Sequence, residues 1–129
     1  MILLDTHALI WMSADPQRLS RKARQAIRRA RESTGIGVAT ITLWELAMLA
    51  ERGRIHVSGS VESFVRETVS RVILKPITPE IAALAVGLPP TYPKDPADRV
   101  IGSTAIAEGL PLVTADERIR ESQLVNIIW

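Results

Sequence analysis

Four acidic residues, Asp5, Glu45, Asp98 and Asp116, sit where a fold could gather them. Asp5 closes the apolar run Ile2–Leu4. Glu45 lies within the apolar stretch LWELAMLA, Asp98 within KDPADRVIGSTA, and Asp116 just beyond the apolar run Leu110–Thr114. Each has an ordinary explanation of its own. Glu45 can complete a capping box with Thr42, Asp98 can complement the dipole of a first helical turn, and Asp116 can cap the turn that follows it. Asp5 resists such an explanation most, because a carboxylate ending a buried strand is costly without a partner. Gathered together, the four would repel, and a hard divalent cation is what neutralises such a cluster. An all-oxygen donor set suits Mg²⁺ or Mn²⁺. Zinc is poorly served, since the chain has no cysteine and His7 and His56 show no ligand spacing. A carboxylate-bound Mg²⁺ or Mn²⁺ can activate water and stabilise an in-line displacement at phosphate.

The elements that must position these acids follow from the chain in order. Ile2–Leu4 reads as a short strand buried on both faces. Thr6 is expected to cap a helix through about Met12, which Asp15-Pro16 breaks. Ser20 caps a basic helix whose apolar stripe is Ala23, Ala26, Ile27 and Ala30, and Gly35 ends it. Ile36–Ala39 is a second strand. The pattern Thr42-Leu43-Trp44-Glu45 predicts a capping box and a helix starting at about Leu43, with Gly53 behind it. That helix is apolar all round, so it is expected to be buried or covered by a partner chain. Ser60 opens an amphipathic helix with Val61, Phe64, Val65, Val69 and Val72 inward. Val72–Ile77 leads into a strand that Pro76 places at an edge or an ending. Thr78-Pro79-Glu80 starts a helix to about Leu88. After the loop of Pro89, Pro90 and Pro93, Asp95-Pro96 marks a cap and first helical position, with Ala97, Val100, Ile101 and Ala105 on one face and Gly109 at the end. Leu110–Thr114 is a strand, Asp116 begins a turn through Glu121, and Val125–Trp129 is the last strand.

Strands alternating with helices predict parallel βαβ units in a three-layer α/β/α domain with a mostly parallel central sheet, and residues 1–129 read as a single domain. In such a sheet, strand carboxyl ends and the following helix amino ends share one edge, where ligands bind. That places Asp5, Glu45 and Asp116 on the edge. The place of Asp98 is not set this way, because its helix follows a loop.

Charge is unevenly distributed. Arg18, Arg21, Lys22, Arg24, Arg28, Arg29 and Arg31 fall in one segment without an acid, leaving nine of the sixteen basic residues against all fourteen acidic ones elsewhere. Such a strip is a solvated helix face or a polyanion contact, with Arg21, Arg24 and Arg28 as candidate phosphate contacts, while Arg99, beside Asp98, could bind phosphate or form a local ion pair. Charge-free runs reach only about a dozen residues, too short to span a bilayer. Asp5 interrupts the amino-terminal apolar run, which makes it a poor signal peptide. With no cysteine, the composition fits a cytoplasmic protein.

The segments LLDTHALIW, TLWELAML, DPADRVIGSTA and LVTADERI also resemble, in order, the PIN domain, specifically the VapC-type toxins of toxin–antitoxin pairs. The resemblance covers nearly the whole chain. It implies a Mg²⁺- or Mn²⁺-dependent endoribonuclease, commonly a homodimer, held inactive by a cognate antitoxin. It assigns Asp5, Glu45, Asp98 and Asp116 as the acidic quartet, Asp5 and Asp98 as the most direct metal ligands, and Thr6 and Thr114 as supporting polar residues. Ala97 and the Gly102-Ser103 pair depart from the common pattern, which has a bulky apolar residue and Ala-Gln there. His7 stands next to Asp5 as a structural residue or a participant in proton transfer. Trp11, Trp44 and Trp129 are expected in the core, or in the case of Trp11 and Trp44 at a partner groove.

A non-catalytic RNA- or protein-binding module is the competing reading. An aspartyl-phosphate phosphatase is disfavoured, because it would need an acid where His7 stands.

Overall fold

Alternation within very short strands creates two cores. In the computed structural model, which describes residues 1–129, strand β1 spans Ile2–Leu4 and is buried throughout. Ile2 and Leu4 join one apolar cluster, with Ile36, Val38 and Val113. Leu3 joins the other, with Ala39 and Leu112. A period of two thus sends successive side chains to opposite faces of one sheet. The other strands are β2 (Ile36–Ala39), β3 (Ile73–Lys75), β4 (Leu112–Val113) and β5 (Ile127–Ile128). Their order is β3-β2-β1-β4-β5, with every pairing parallel.

Seven helices cover the sheet: α1 (Thr6–Ala14), α2 (Arg21–Glu32), α3 (Ile41–Glu51), α4 (Val61–Thr68), α5 (Pro79–Gly87), α6 (Pro96–Glu108) and α7 (Glu117–Ser122). The face bearing Leu4 packs against Ala8 and Leu9 of α1, Ala23, Ile27 and Ala30 of α2, and Leu46 of α3. The face bearing Leu3 packs against Ile101 and Ala105 of α6 and Ile119 of α7. The domain is therefore the three-layer α/β/α arrangement that the alternation predicts. No helix is long and apolar enough to cross a membrane.

Several boundaries differ from those expected. The cap of α1 is Asp5, not Thr6, and the helix runs on to Ala14. The Thr42–Glu45 capping box does not form. Helix α3 begins at Ile41, and Thr42 is fully buried inside it. Only Thr42 and Leu46 of α3 are buried and Trp44 is 58% exposed, with most of the rest half-buried, so the chain's own elements cover this apolar helix only in part. Strand β4 is shorter than Leu110–Thr114, because the Leu110 N–H donates to the Ala105 carbonyl at the end of α6. Strand β3 lies at the sheet edge, directly before Pro76, as the missing donor of proline requires.

Helix α6 starts as its sequence dictates. The Asp98 N–H donates to Asp95 Oδ2 at 2.9 Å, and Gly109 closes the helix at φ 65° in the left-handed region. Within it, Gly102 meets the ring of the fully buried Tyr92, whose hydroxyl donates to the Asp98 carbonyl at 3.1 Å. A Cβ on Gly102 would stand 2.6 Å from Tyr92 Cζ and closer still to the hydroxyl oxygen. Gly102→Ala is therefore expected to cost about 1–3 kcal/mol through overpacking of a ring that cannot swing away. Urea unfolding reads this directly; an unchanged midpoint would mean that Tyr92 gives way freely.

Candidate active site

The sheet order explains where a site forms. The chain moves from β1 to β2 and β3 on one side, then crosses back to place β4 on the other side of β1. The switch point between β1 and β4 leaves a crevice beyond the strand carboxyl ends. Asp5 follows β1 there, and Asp116 follows β4 after Thr114 and Ala115. A cavity of about 600 Å³ opens at this place, lined by Asp5, Glu45, Asp98 and Asp116. The tertiary fold thus brings Asp98, whose position the strand order left open, to the same cavity as the other three. Asp95 lines it as well, a fifth carboxylate that the sequence offered only as a helix cap. Its spacing of three residues from Asp98 on the first turn of α6 was the available signal.

Local hydrogen bonds fix most of these side chains. Asp5 Oδ1 accepts from the Ala8 N–H at 2.8 Å, so the acid that ends β1 also caps α1. Asp116 Oδ1 accepts from the N–H groups of Arg118 and Ile119 at 2.9 and 3.4 Å, capping α7. Its Oδ2 lies 3.7 Å from Arg118 Nη2. Glu45 caps nothing; its Oε1 accepts a short hydrogen bond from Thr6 Oγ1, which also lies 3.0 Å from Thr42 Oγ1. Thr114 Oγ1 accepts from the Asp116 N–H at 3.1 Å. Thr6 and Thr114, both buried, are therefore props beneath acids. The Asp98 carboxylate makes no protein hydrogen bond or ion pair, although its own backbone N–H and carbonyl are engaged.

Electrostatics follow from this crowding. Burial pushes the Asp98 carboxyl up to about 7, and Asp95, Glu45, Asp116 and Asp5 add to the rise by repulsion. Burial also raises Asp5, opposed chiefly by the Thr114 hydroxyl and the Ala8 N–H. Glu45 is raised by burial as well, opposed by its bond from Thr6. Desolvation disfavours the charged form, and neighbouring like charges disfavour it further.

The donor set is all oxygen and strongly anionic, which fits a hard divalent cation and not a soft one. No three of the His, Asp and Glu side chains stand close enough to hold a metal ion in this structure. Two of the acids, Asp5 and Asp116, are engaged as helix caps.

The basic residues divide. Arg21, Arg24 and Arg28 line a polar surface recess of α2 with Gln25, apart from the acidic cavity. Arg99 turns away from the cavity despite its place beside Asp98. Its Nη1 donates to the carbonyls of Ala85 and Leu88 at 3.2 and 2.9 Å, closing the carboxyl end of α5, so it is not presented as an RNA contact. His7 lines the cavity and is exposed, with its ring 5.9 Å from that of Trp11.

The PIN domain family model matches residues 2–123. Over 119 residues the chain is 49% identical to Ribonuclease VapC22 of Mycobacterium tuberculosis, covering 92% of this chain and 89% of that protein. Among solved structures, VapBC2 from Rickettsia felis bound to a promoter DNA fragment matches with a TM-score of 0.69 at 17% identity, covering 98% of this chain and 97% of the other. A toxin–antitoxin complex from Klebsiella pneumoniae matches with a TM-score of 0.61 at 24% identity, covering 90% and 87%. At those identities the structural likeness speaks for the fold.

Proposed function

This chain belongs to the PIN-domain family, and from that premise we propose that it is a divalent-cation-dependent endoribonuclease, the toxin of a toxin–antitoxin pair. The observation that carries the reading is the single cavity lined by Asp5, Glu45, Asp98 and Asp116. The relative named as a ribonuclease supports the reaction class. Asp5 and Asp98 would be the most direct ligands of Mg²⁺ or Mn²⁺, with Glu45 and Asp116 beside them. Bound there, the cation supplies Lewis acidity and neutralises the charge that builds on phosphate under in-line attack by water.

The chain's own residues do the positioning. Thr6 holds Glu45, and Thr114 holds the Asp116 backbone. Caps on α1 and α7 tie Asp5 and Asp116 to rigid elements at the mouth of the cavity. Arg21, Arg24 and Arg28 would contact RNA phosphates outside the cavity.

The toxin–antitoxin complex among the structural neighbours supports an antitoxin partner. An apolar groove of about 510 Å³ between α3 and α4, lined by Leu43, Ala47, Val61, Val65 and Val69, fits an amphipathic segment of such a partner. Exposed Ile77, Val86 and Ile106 offer apolar surface for a homodimer.

The test is RNA cleavage by the purified chain in the presence of EDTA, then of added Mg²⁺ or Mn²⁺. Product should form only with the cation. Equal cleavage under chelation would remove the metal from the mechanism. RNA binding without product under every metal condition would favour the non-catalytic binding module.

A further inference from the structure

We infer that Arg18, held against Trp11, is a positioning residue that grips an RNA backbone phosphate at the acidic cavity. The inference rests on the ribonuclease reading and adds to it a residue outside the acidic quartet.

An RNA strand entering a cavity of carboxylates meets repulsion, so the cations that line the cavity itself decide whether a phosphate can dwell there. Two arginines do so, Arg18 and Arg118. Arg118 is already paired with Asp116 across 3.7 Å. Arg18 makes no ion pair with any carboxylate. Its guanidinium lies 4.7 Å from the centroid of the Trp11 ring, which also lines the cavity.

Neighbouring side chains hold this placement. Trp11 is flanked by the rings of His7 at 5.9 Å and Trp129 at 6.0 Å. Arg18 ends the short 3₁₀ turn Pro16–Arg18, and the next residue, Leu19, is buried in the core. A cation–π contact holds the guanidinium while leaving its N–H donors free, because the ring attracts the charge and accepts no hydrogen bond along the guanidinium edge. An arginine so placed loses little further rotamer freedom on gripping a phosphate, and its fork can bind two phosphate oxygens at once. The α2 arginines are different. They stand on an exposed recess outside the cavity and contribute to affinity without placing the strand over the acids.

The experiment pairs cleavage kinetics with a salt titration of RNA binding, for wild type, Arg18→Ala, Arg18→Lys, Trp11→Phe and the control Arg71→Ala. Arg71 is exposed and lines neither cavity nor recess, so its removal corrects for the loss of one charge. Arg18→Ala should raise KM for a short single-stranded RNA on the order of tenfold with kcat little changed. On the Asp98→Asn background, the slope of log Kd against log salt should fall by about 0.7, one lost phosphate contact on a single strand. Arg18→Lys should keep the slope and recover part of the affinity, and Trp11→Phe should fall between wild type and Arg18→Ala. If Arg18→Ala matches Arg71→Ala in both KM and slope, Arg18 is a surface charge and the inference fails. If wild type cleaves no RNA, the ribonuclease reading fails, and the binding slope still decides whether Arg18 contacts phosphate.

Discussion

Replacing Asp98 with Asn should cut RNA cleavage by at least about a hundredfold and leave the fold intact, the usual scale for removing one direct ligand of a catalytic ion. The fold is spared for a local reason. The cap of α6 is Asp95, whose Oδ2 takes the Asp98 N–H, and Tyr92 bonds the Asp98 backbone carbonyl. The Asp98 side chain itself holds nothing up, so an isosteric amide removes charge without removing a structural bond. Circular dichroism and a thermal midpoint at or above that of wild type would establish folding. Full activity in a folded Asp98→Asn protein would remove Asp98 from the chemistry and leave the cavity without its proposed metal ligand.

The second large effect is on stability. In the presence of a chelator, the thermal midpoint should fall as pH rises from about 4 to about 7. Asp98 ordinarily ionises near 3.8, and in the fold it does so at about 7. A raised carboxyl favours the protonated native state, so its stabilising contribution is full below the unfolded value and is lost as pH climbs through the folded one. Asp5 and Glu45 are raised too and act in the same direction. Asp98 is only partly buried, so solvent screening reduces its share to about 1–2 kcal/mol, or roughly 3–6 °C for a chain of this size.

Asp98→Asn should flatten this dependence and melt higher than wild type at pH 8. Added Mn²⁺ or Mg²⁺ should reverse the loss in wild type, by about 2.7 kcal/mol at a hundredfold excess over the dissociation constant. The amide variant should gain much less. Differential scanning fluorimetry across pH, with and without the cation, measures all of these. A chelated midpoint that rises between pH 5 and 8 would mean that the acids are solvated and unstrained, contrary to the burial described.

Much of the architecture was legible because the signals are local. The short apolar runs Ile2–Leu4 and Ile36–Ala39, buried at every position, serine caps at Ser20 and Ser60, and the Asp95-Pro96 start of α6 all depend on residues within one turn or one strand. Thr42 and Glu45 show where local reading stops. Their spacing matches a capping box, yet Thr6, far away in sequence, draws both side chains into a buried hydroxyl–carboxylate cluster. A cap is worth about 1 kcal/mol, and satisfying a carboxylate inside the fold outweighs it. The placement of Arg99 was not legible for a related reason: the carbonyls of Ala85 and Leu88 that take its N–H groups come within reach only where α5 and α6 pack together.

By itself, the sequence determined the parallel three-layer fold, the absence of thiolate chemistry and the edge on which Asp5, Glu45 and Asp116 stand. Periodicity and capping are nearest-neighbour physics, so one chain suffices to read them. Only the tertiary structure decided that Asp98 joins them, that Asp95 is a fifth acid at the cavity, and that Arg18 rests on Trp11 at its wall. The meeting of these acids at one cavity depends on β4 crossing to the far side of β1, a long-range pairing that no local signal encodes.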